Sequence, residues 1–171
     1  NLLKEIKHQD NVISVRGSIA GVGRMPFLQY KIDFVFYNDG VMQVKLSANI
    51  RENCIWLQRV GFEFGFSKEA ENFRYYGRGP AENYCDMTLQ TTTNWFESTA
   101  KDEYVPYIMP QEHGNHTECK VLELQNDMKF VADKEFDINV SEYSTKALAD
   151  AMHIDELKAD GLVHVRVDYK N

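Results

Sequence analysis

The sequence predicts an all-β protein, an antiparallel β-sandwich with one or two short helices, and three observations lead there. Stretches in both halves of the chain alternate apolar with polar or small residues, the period of a half-buried strand. Clusters of Asn, Asp and Gly separate them where tight turns are needed. Only one segment, late in the chain, has convincing helical spacing.

Taken in order, "VISVRGSIAGV" (12–22), "PFLQYKIDFVFY" (26–37), "VMQVKLSANI" (41–50) and "RVGFEFGF" (59–66) read as successive strands of an antiparallel meander. Between the second and third, Asn38, Asp39 and Gly40 stand where a hairpin needs positive φ. "YYGRGPAENYCDM" (75–87) reads as an aromatic strand, a glycine turn and a helix start. Gly77 and Gly79 allow the turn, Pro80 suits a first helical position, and Glu82 places negative charge at a helix start. Asn83, Tyr84 and Asp86 then tie the connection down.

Residues 88–117 show little periodicity and many aromatics; an irregular stretch of that length in a compact domain points to a functional loop or an interface. Residues 118–143 repeat the strand pattern, with a strand at Val121–Leu124, a turn at Asn126 and Asp127 and two further strands. "LVHVRV" (162–167) adds a last one. The helix falls in "STKALADAMHIDELKAD" (144–160), with Ser144 or Thr145 as N-cap and Leu148, Ala151 and Met152 along one side. Such short strands bury their inner faces as two packed sheets.

Composition narrows the function. A chain of 171 residues, 43% hydrophobic and 26% charged, suits a single globular domain over residues 1–171. A net charge of −7, a pI near 5.2 and scattered basic residues argue against nucleic acid. No apolar run approaches the roughly 18 residues a bilayer span needs. The amino terminus "NLLKEIKHQD" has no initiator Met and no secretory pattern, and both ends stop mid-pattern, so a domain truncated at both ends is expected. The compartment stays open, with a soluble cytoplasmic or periplasmic parent expected. Cys54, Cys85 and Cys119 form no C-x-x-C pair and read as separate reduced thiols.

Two stretches could carry chemistry. Gly77 and Gly79 begin a phosphate-binding fingerprint, but Glu82 stands at the third glycine position and no βαβ unit surrounds it, so a structural corner is expected. "QEHGNHTEC" (111–119) collects Glu112, His113, His116, Glu118 and Cys119, all potential metal ligands. The two histidines precede a strand and have no second ligand pair, so no metal is expected. A polar loop and a sugar-contacting surface both remain open for it. No carboxylate pair stands out for glycoside hydrolysis, and there is no G-x-S-x-G elbow.

The same stretches carry a resemblance. "FRYYGRGPAENYCDM", "YVPYIMPQEHGNHTECKVLEL", "FDINVSEYSTKALADAMHIDELK" and "VRVDYKN", in this order and spacing, resemble the carboxy-terminal small-chain domain (domain 5) of glycoside hydrolase family 2 β-galactosidases. The resemblance covers Val60 to the end and implies a galactose mutarotase-like β-supersandwich. It implies a parent enzyme that hydrolyses terminal non-reducing β-D-galactosides with retention. The catalytic glutamates and the neighbouring metals of that family, magnesium and sodium, belong to other domains. This chain would thus hold no catalytic residue and no cofactor, and would pack on the TIM-barrel domain of a homo-oligomeric parent.

By motif, Pro110, Gln111, Glu112, His113, Gly114 and Asn115 correspond to a loop at the mouth of the substrate site, meeting galactoside only indirectly. Gly77, Gly79, Pro80, Glu82, Tyr84 and Asp86 form a family motif expected to be structural. Met87 stands where the pattern has Arg, His116 where Arg is common, and Val121 where some members have Trp. A following segment with an aromatic substrate platform is missing after "DYKN". Two other readings use different residues: an aldose epimerase with His113, His116, His153 or His164, and a carbohydrate-binding module with Trp56, Trp95 or Tyr107.

Overall fold

The computed structural model describes residues 2–51, 57 and 59–170. They are all-β with antiparallel pairing throughout, and the chain divides into two compact units, residues 1–57 and 58–171. Among the described residues no helix is long and apolar enough to cross a membrane.

The first unit is a meander of β1 (Leu2–Gln9), β2 (Val12–Ile19), β3 (Leu28–Phe36) and β4 (Met42–Ile50), paired in that order. Register puts Ile6, Val15, Ile32 and Leu46 in one transverse row and Ile13, Phe34 and Val44 in the next, while Ser14, Asp33 and Lys45 face the other way. This is the alternation predicted for the second to fourth strands. Gly40 supplies the positive φ (85°) of the β3–β4 turn, and the Asp39 carboxylate accepts from the Val41 amide at 3.1 Å. β1 is not legible in sequence because its register shifts between Leu3 and Glu5, which breaks the period of two.

The second unit is a six-stranded sheet ordered β5-β10-β9-β8-β6-β7, built from β5 (Val60–Phe66), β6 (Asn72–Gly79), β7 (Thr92–Thr99), β8 (Asn115–Leu124), β9 (Lys129–Ser141) and β10 (Val163–Lys170). β5, which the sequence pattern places at the end of the first meander, instead pairs with β10. One face gathers Phe73, Tyr75, Cys119, Leu122, Leu124, Phe136, Ile138, Val140, Val163 and Val165 into a buried core, with Phe66, Phe96 and Phe130 against it. Helix α1 (Thr145–Asp150) is capped by Ser144, whose hydroxyl accepts from the Ala147 amide at 3.0 Å.

Four expectations need correction. No helix follows Pro80: Asn83 donates to the carbonyls of Arg78 and Ala81 and to Asn115 O, so the local backbone is held in a turn. Residues 88–117 are not wholly irregular, since they contain β7, an edge strand whose Thr-rich sequence lacks alternation. Residues 129–141 form one strand rather than two; its first half is mostly exposed and its last six residues are buried on both faces, which erases a single period. The helix stops at Asp150, a separate 3-10 turn covers Ile154–Glu156, and Met152 is exposed while Leu148 and Ala151 are buried.

Gly77 lies on the core face, where a Cβ would come within 2.3 Å of Cys119 Sγ and 3.0 Å of its Cα. Gly77→Ala is expected to cost about 1–3 kcal/mol from overpacking, read as a lower thermal midpoint, and Cys119→Ala should recover part of the loss. An unchanged midpoint for Gly77→Ala would contradict this packing.

Candidate functional site

The two motifs singled out in the sequence meet in space. β6 ends at Gly79, the chain turns through residues 80–91, and after β7 the segment 100–114 leads back to the start of β8 beside that turn. Asn83, fully buried, is the join. Its amide N–H donates to Asn115 O (2.7 Å), and its Nδ2 donates to Arg78 O and Ala81 O (3.0 Å each). Its Oδ1 accepts from Thr117 N (2.8 Å) and Thr117 Oγ1 (2.6 Å), and Asn115 Nδ2 donates back to Asn83 O (2.9 Å).

Glu82 works alongside, one carboxylate oxygen accepting from Gly114 N at 2.8 Å and the other from the Tyr107 hydroxyl. That bond favours the protonated phenol, so the Tyr107 pKa is pushed up to about 12. Gly114 has φ +68°, and a Cβ there would lie 2.7 Å from Glu103 O, so only glycine fits.

From the opposite side, a chain of charges on the second face of the sheet reaches the same loop. Arg59 holds Glu112 at 2.9 Å and Asp168, itself 2% exposed, at 2.5 Å. Burial works against the Arg59 charge, but the facing carboxylates outweigh it and raise the pKa, whereas burial raises that of Asp168 despite its partner. Arg166, 1% exposed, donates to Thr145 Oγ1 (2.9 Å), Tyr143 O (2.5 Å) and Asn139 Oδ1, and burial lowers its pKa. Asn139 Nδ2 in turn donates to His113 O.

Four consecutive residues are thus fixed from three places in the fold: Glu112 by Arg59 before β5, His113 by Asn139 of β9, and Gly114 and Asn115 by Glu82 and Asn83 of the turn after β6. Pro110 is buried and Gln111 exposed, and just before them Ile108 and Met109 stand out into solvent. Of the earlier motif, Gly77 and Gly79 lie on the core face, Tyr84 bridges Met87 through the backbone, and Asp86 and Cys85 are exposed.

The residues with metal-binding chemistry do not converge. Glu112 faces Arg59, Glu118 faces Arg78, His116 lies between Glu103 and Tyr75, and Cys119 is a buried thiol whose pKa burial raises. Among the described residues no group of three or more His, Cys, Asp or Glu is placed to hold a metal ion. The four histidines weighed for epimerase chemistry sit in separate settings: His164 between Glu63 and Asp160, His153 capping the 3-10 turn, and His113 against the Tyr104 ring edge. Trp95 is 48% exposed with the Arg74 guanidinium over its ring, and its plane is tilted 59° from Tyr76. Trp56 and Cys54 lie outside the described residues. A groove of about 570 Å³ between the start of β6 and the end of β7 lies at the other end of β6 from this loop.

Arg59, Glu103, Asn139 and Arg166 are the site-building residues that sequence reasoning missed. In "HVRVD" the polar alternates read as a solvent face, and nothing local tells that the second face is buried there.

An antiparallel β-sheet unit that presents one rigidly braced loop is the class defined by this geometry, and comparison with known proteins gives the family. The family model described as β-galactosidase small chain matches residues 2–171, and the chain belongs to that family. It is 29% identical over 157 residues to a β-galactosidase of Actinobacillus pleuropneumoniae, covering 92% of this chain and 16% of that protein. It is 30% identical over 145 residues to one from Priestia megaterium (81% and 14%), and 35% identical over 104 residues to β-galactosidase BgaC of Bifidobacterium adolescentis (57% and 10%). The chain therefore spans about a sixth or less of the relatives it matches.

Asn83→Ala leaves the buried Thr117 N–H and hydroxyl without their acceptor and is expected to cost about 3 kcal/mol, with faster hydrogen exchange at Gly114 and Thr117. Unchanged exchange there would show that Asn83 is not the join. A pH effect follows from Glu63, which accepts from Thr145 N at 3.2 Å and from the Thr145 hydroxyl. Burial opposes its charge, but the Thr145 bonds, Arg166 and His164 outweigh that and hold its pKa below the ordinary 4.5. Its stabilisation is therefore present above pH 4.5 and lost as pH falls through the lower folded-state value. Glu63→Gln should flatten that acid-side loss of α1 protection; an identical acid profile in the variant would refute the assignment.

Proposed function

We propose that this chain is a non-catalytic domain of a larger β-galactosidase, a retaining glycoside hydrolase acting on terminal β-D-galactosides. It packs on the catalytic TIM-barrel domain and borders the active-site mouth with the Pro110–Asn115 loop. Membership of the small-chain family and the short share of each relative support a domain role. The observation that carries the reading is the bracing of Glu112, His113, Gly114 and Asn115 by three separate segments, the residue before β5, β9 and the turn after β6.

Bracing of this kind serves positioning. A loop meant to shape a neighbouring site must hold its atoms to within a fraction of an ångström, because a loosened contact gives back the binding energy it was placed to supply. The carboxylates around the loop all act as braces, Glu82 on Gly114 and Tyr107, Glu112 and Asp168 on Arg59, and Glu103 on His116. Any magnesium or sodium the parent enzyme uses would be held by its other domains.

The deciding experiment is hydrolysis of a chromogenic β-galactoside by this chain alone, by a matching large fragment lacking it, and by the two mixed. Activity is expected only in the mixture. Glu82→Ala should cut kcat/KM of the mixture about tenfold or more through the loosened loop, whereas turnover by this chain alone would overturn the non-catalytic assignment.

A further inference from the structure

Three ionisable side chains meet in the interior of the second unit: Tyr75 and His116, each 1% exposed, and Glu103, 9% exposed. They come from β6, the start of β8 and the segment after β7. His116 Nε2 lies 2.9 Å from Glu103 Oε2, while its Nδ1 lies 3.0 Å from the Tyr75 hydroxyl and 3.2 Å from the carbonyl oxygen of Arg78. Among the described residues the one ion pair of Glu103 is with His116.

Carboxylate and carbonyl oxygens only accept, so the ring has an acceptor on each side. A neutral imidazole carries one proton and must turn a lone pair either on the Arg78 carbonyl or on the Glu103 carboxylate. The Tyr75 hydroxyl donates or accepts and suits either state. Asn83 Nδ2 approaches Nδ1 at 3.4 Å, but its two hydrogens are directed to the carbonyls of Arg78 and Ala81 at 3.0 Å each. Both acceptors are satisfied by a ring with a proton on each nitrogen, or by one whose Nε2 proton has moved onto Glu103; the two forms hold the same number of protons. The surroundings favour that extra proton. Cys119 donates to His116 O, and burial together with the carboxylates of Asp137, Glu118 and Glu135 raises its thiol pKa, so it adds no cation. The Arg78 guanidinium is paired with Glu118 at 2.8 Å.

We propose that His116 is a proton-dependent positioning residue, whose imidazolium bridges the Glu103 carboxylate and the Arg78 carbonyl and so ties the segment after β7 to the end of β6. Loss of the proton turns a lone pair on one of those oxygens and leaves the buried Glu103 charge uncompensated. The tie then opens, and its release reaches the braced loop, because Gly114 packs on Glu103 so closely that a Cβ there would lie 2.7 Å from Glu103 O. The folded state with its tie holds more protons than the released one, so the tie is formed on the acid side of neutrality and lost as pH rises. Every group involved lies inside this chain, independent of the galactosidase reading.

The test is hydrogen exchange in the full-length protein that carries this chain, followed in peptides spanning residues 100–114 at about pH 6 and about pH 9, on either side of ordinary histidine titration. Rates are corrected for the intrinsic pH dependence of exchange. The amides of Ala100, Glu103 and Tyr104 report the segment, donating to the carbonyls of Glu71, Thr99 and Lys101. Their exchange should quicken about tenfold or more at the higher pH, while peptides of β10 keep their protection. In Glu103→Gln the side-chain amide donates to Nε2 and a neutral ring protonated on Nδ1 suffices, so slow exchange should persist at both pH values. In His116→Gln no proton can be gained, and exchange should be fast at both. A tie that is merely structural would instead loosen alike in both variants. No step in the unaltered protein, a step that survives Glu103→Gln, or slow exchange in His116→Gln at the higher pH would each overturn the proposal. The first two results decide it even where His116→Gln does not fold.

Discussion

Everything at the candidate site hangs on the side-chain amide of Asn83. It is buried with its two donors and its acceptor all engaged, and its main-chain N–H and C=O are engaged as well. A group so placed is expensive to leave unpaired, and removing any of its partners strands a polar atom in the interior. The turn after β6, the entry into β8 and the last residues of the loop are consequently one cooperative piece. Glu82 extends that piece by one residue along the turn and, through Gly114 and Tyr107, to the near and far ends of the loop.

The sheet of the second unit is unusual in being buried on both faces at one end. At β9 and β10 the core face carries Ile138, Val140 and Val165, while the opposite face carries Asp137, Asn139, Ser141, His164, Arg166 and Asp168, all nearly inaccessible. Desolvation there opposes every charge, which explains why burial is the first cause of the altered pKa at Arg166 and Asp168. Buried ions persist when each has a hydrogen-bonded counterpart, and this requirement locks the register of β5, β10 and β9. A slip by one residue would carry Arg166 into the apolar core and Val165 to the side where Glu63 and Asn139 wait. Positional precision in the loop is inherited from that register through Arg59 and Asn139.

Legibility in the sequence follows the same physics. Strands β2 to β4 are readable because their apolar and polar residues alternate along the sequence itself, so that each row across the sheet keeps one character. β9 escapes because its two halves have different surroundings, and β7 because an edge strand rich in Thr has no buried stripe to announce it. The expected helix start at Pro80 fails for another reason: Asn83 lies 32 residues in sequence from its Asn115 partner, and no local rule weighs such a contact against helical propensity. The motif residues themselves emerge from their resemblance, but that Glu82 and Gly114 touch cannot be read from spacing. Arg59 and Asp168, 109 residues apart, are likewise beyond reach.

His116 ties the segment after β7 to the turn after β6. Its Nδ1 lies 3.0 Å from the Tyr75 hydroxyl and 3.4 Å from Asn83 Nδ2, and burial raises the Tyr75 pKa so that the phenol keeps its proton. Arg78 O also lies 3.2 Å from Nδ1, and on the other side of the ring Nε2 faces the Glu103 carboxylate at 2.9 Å. A carboxylate is thus drawn to the ring from the segment after β7, and the ring stacks on Tyr75 at 4.4 Å between centroids. The imidazole is short, and the carboxylate comes close to it. The lack of a side chain at Gly114, against which Glu103 O would otherwise collide, leaves the room for it to do so. The histidine and the glycine are therefore one arrangement: His116 ties Glu103 to the Asn83 junction, and Gly114 lets the loop pass over the tie.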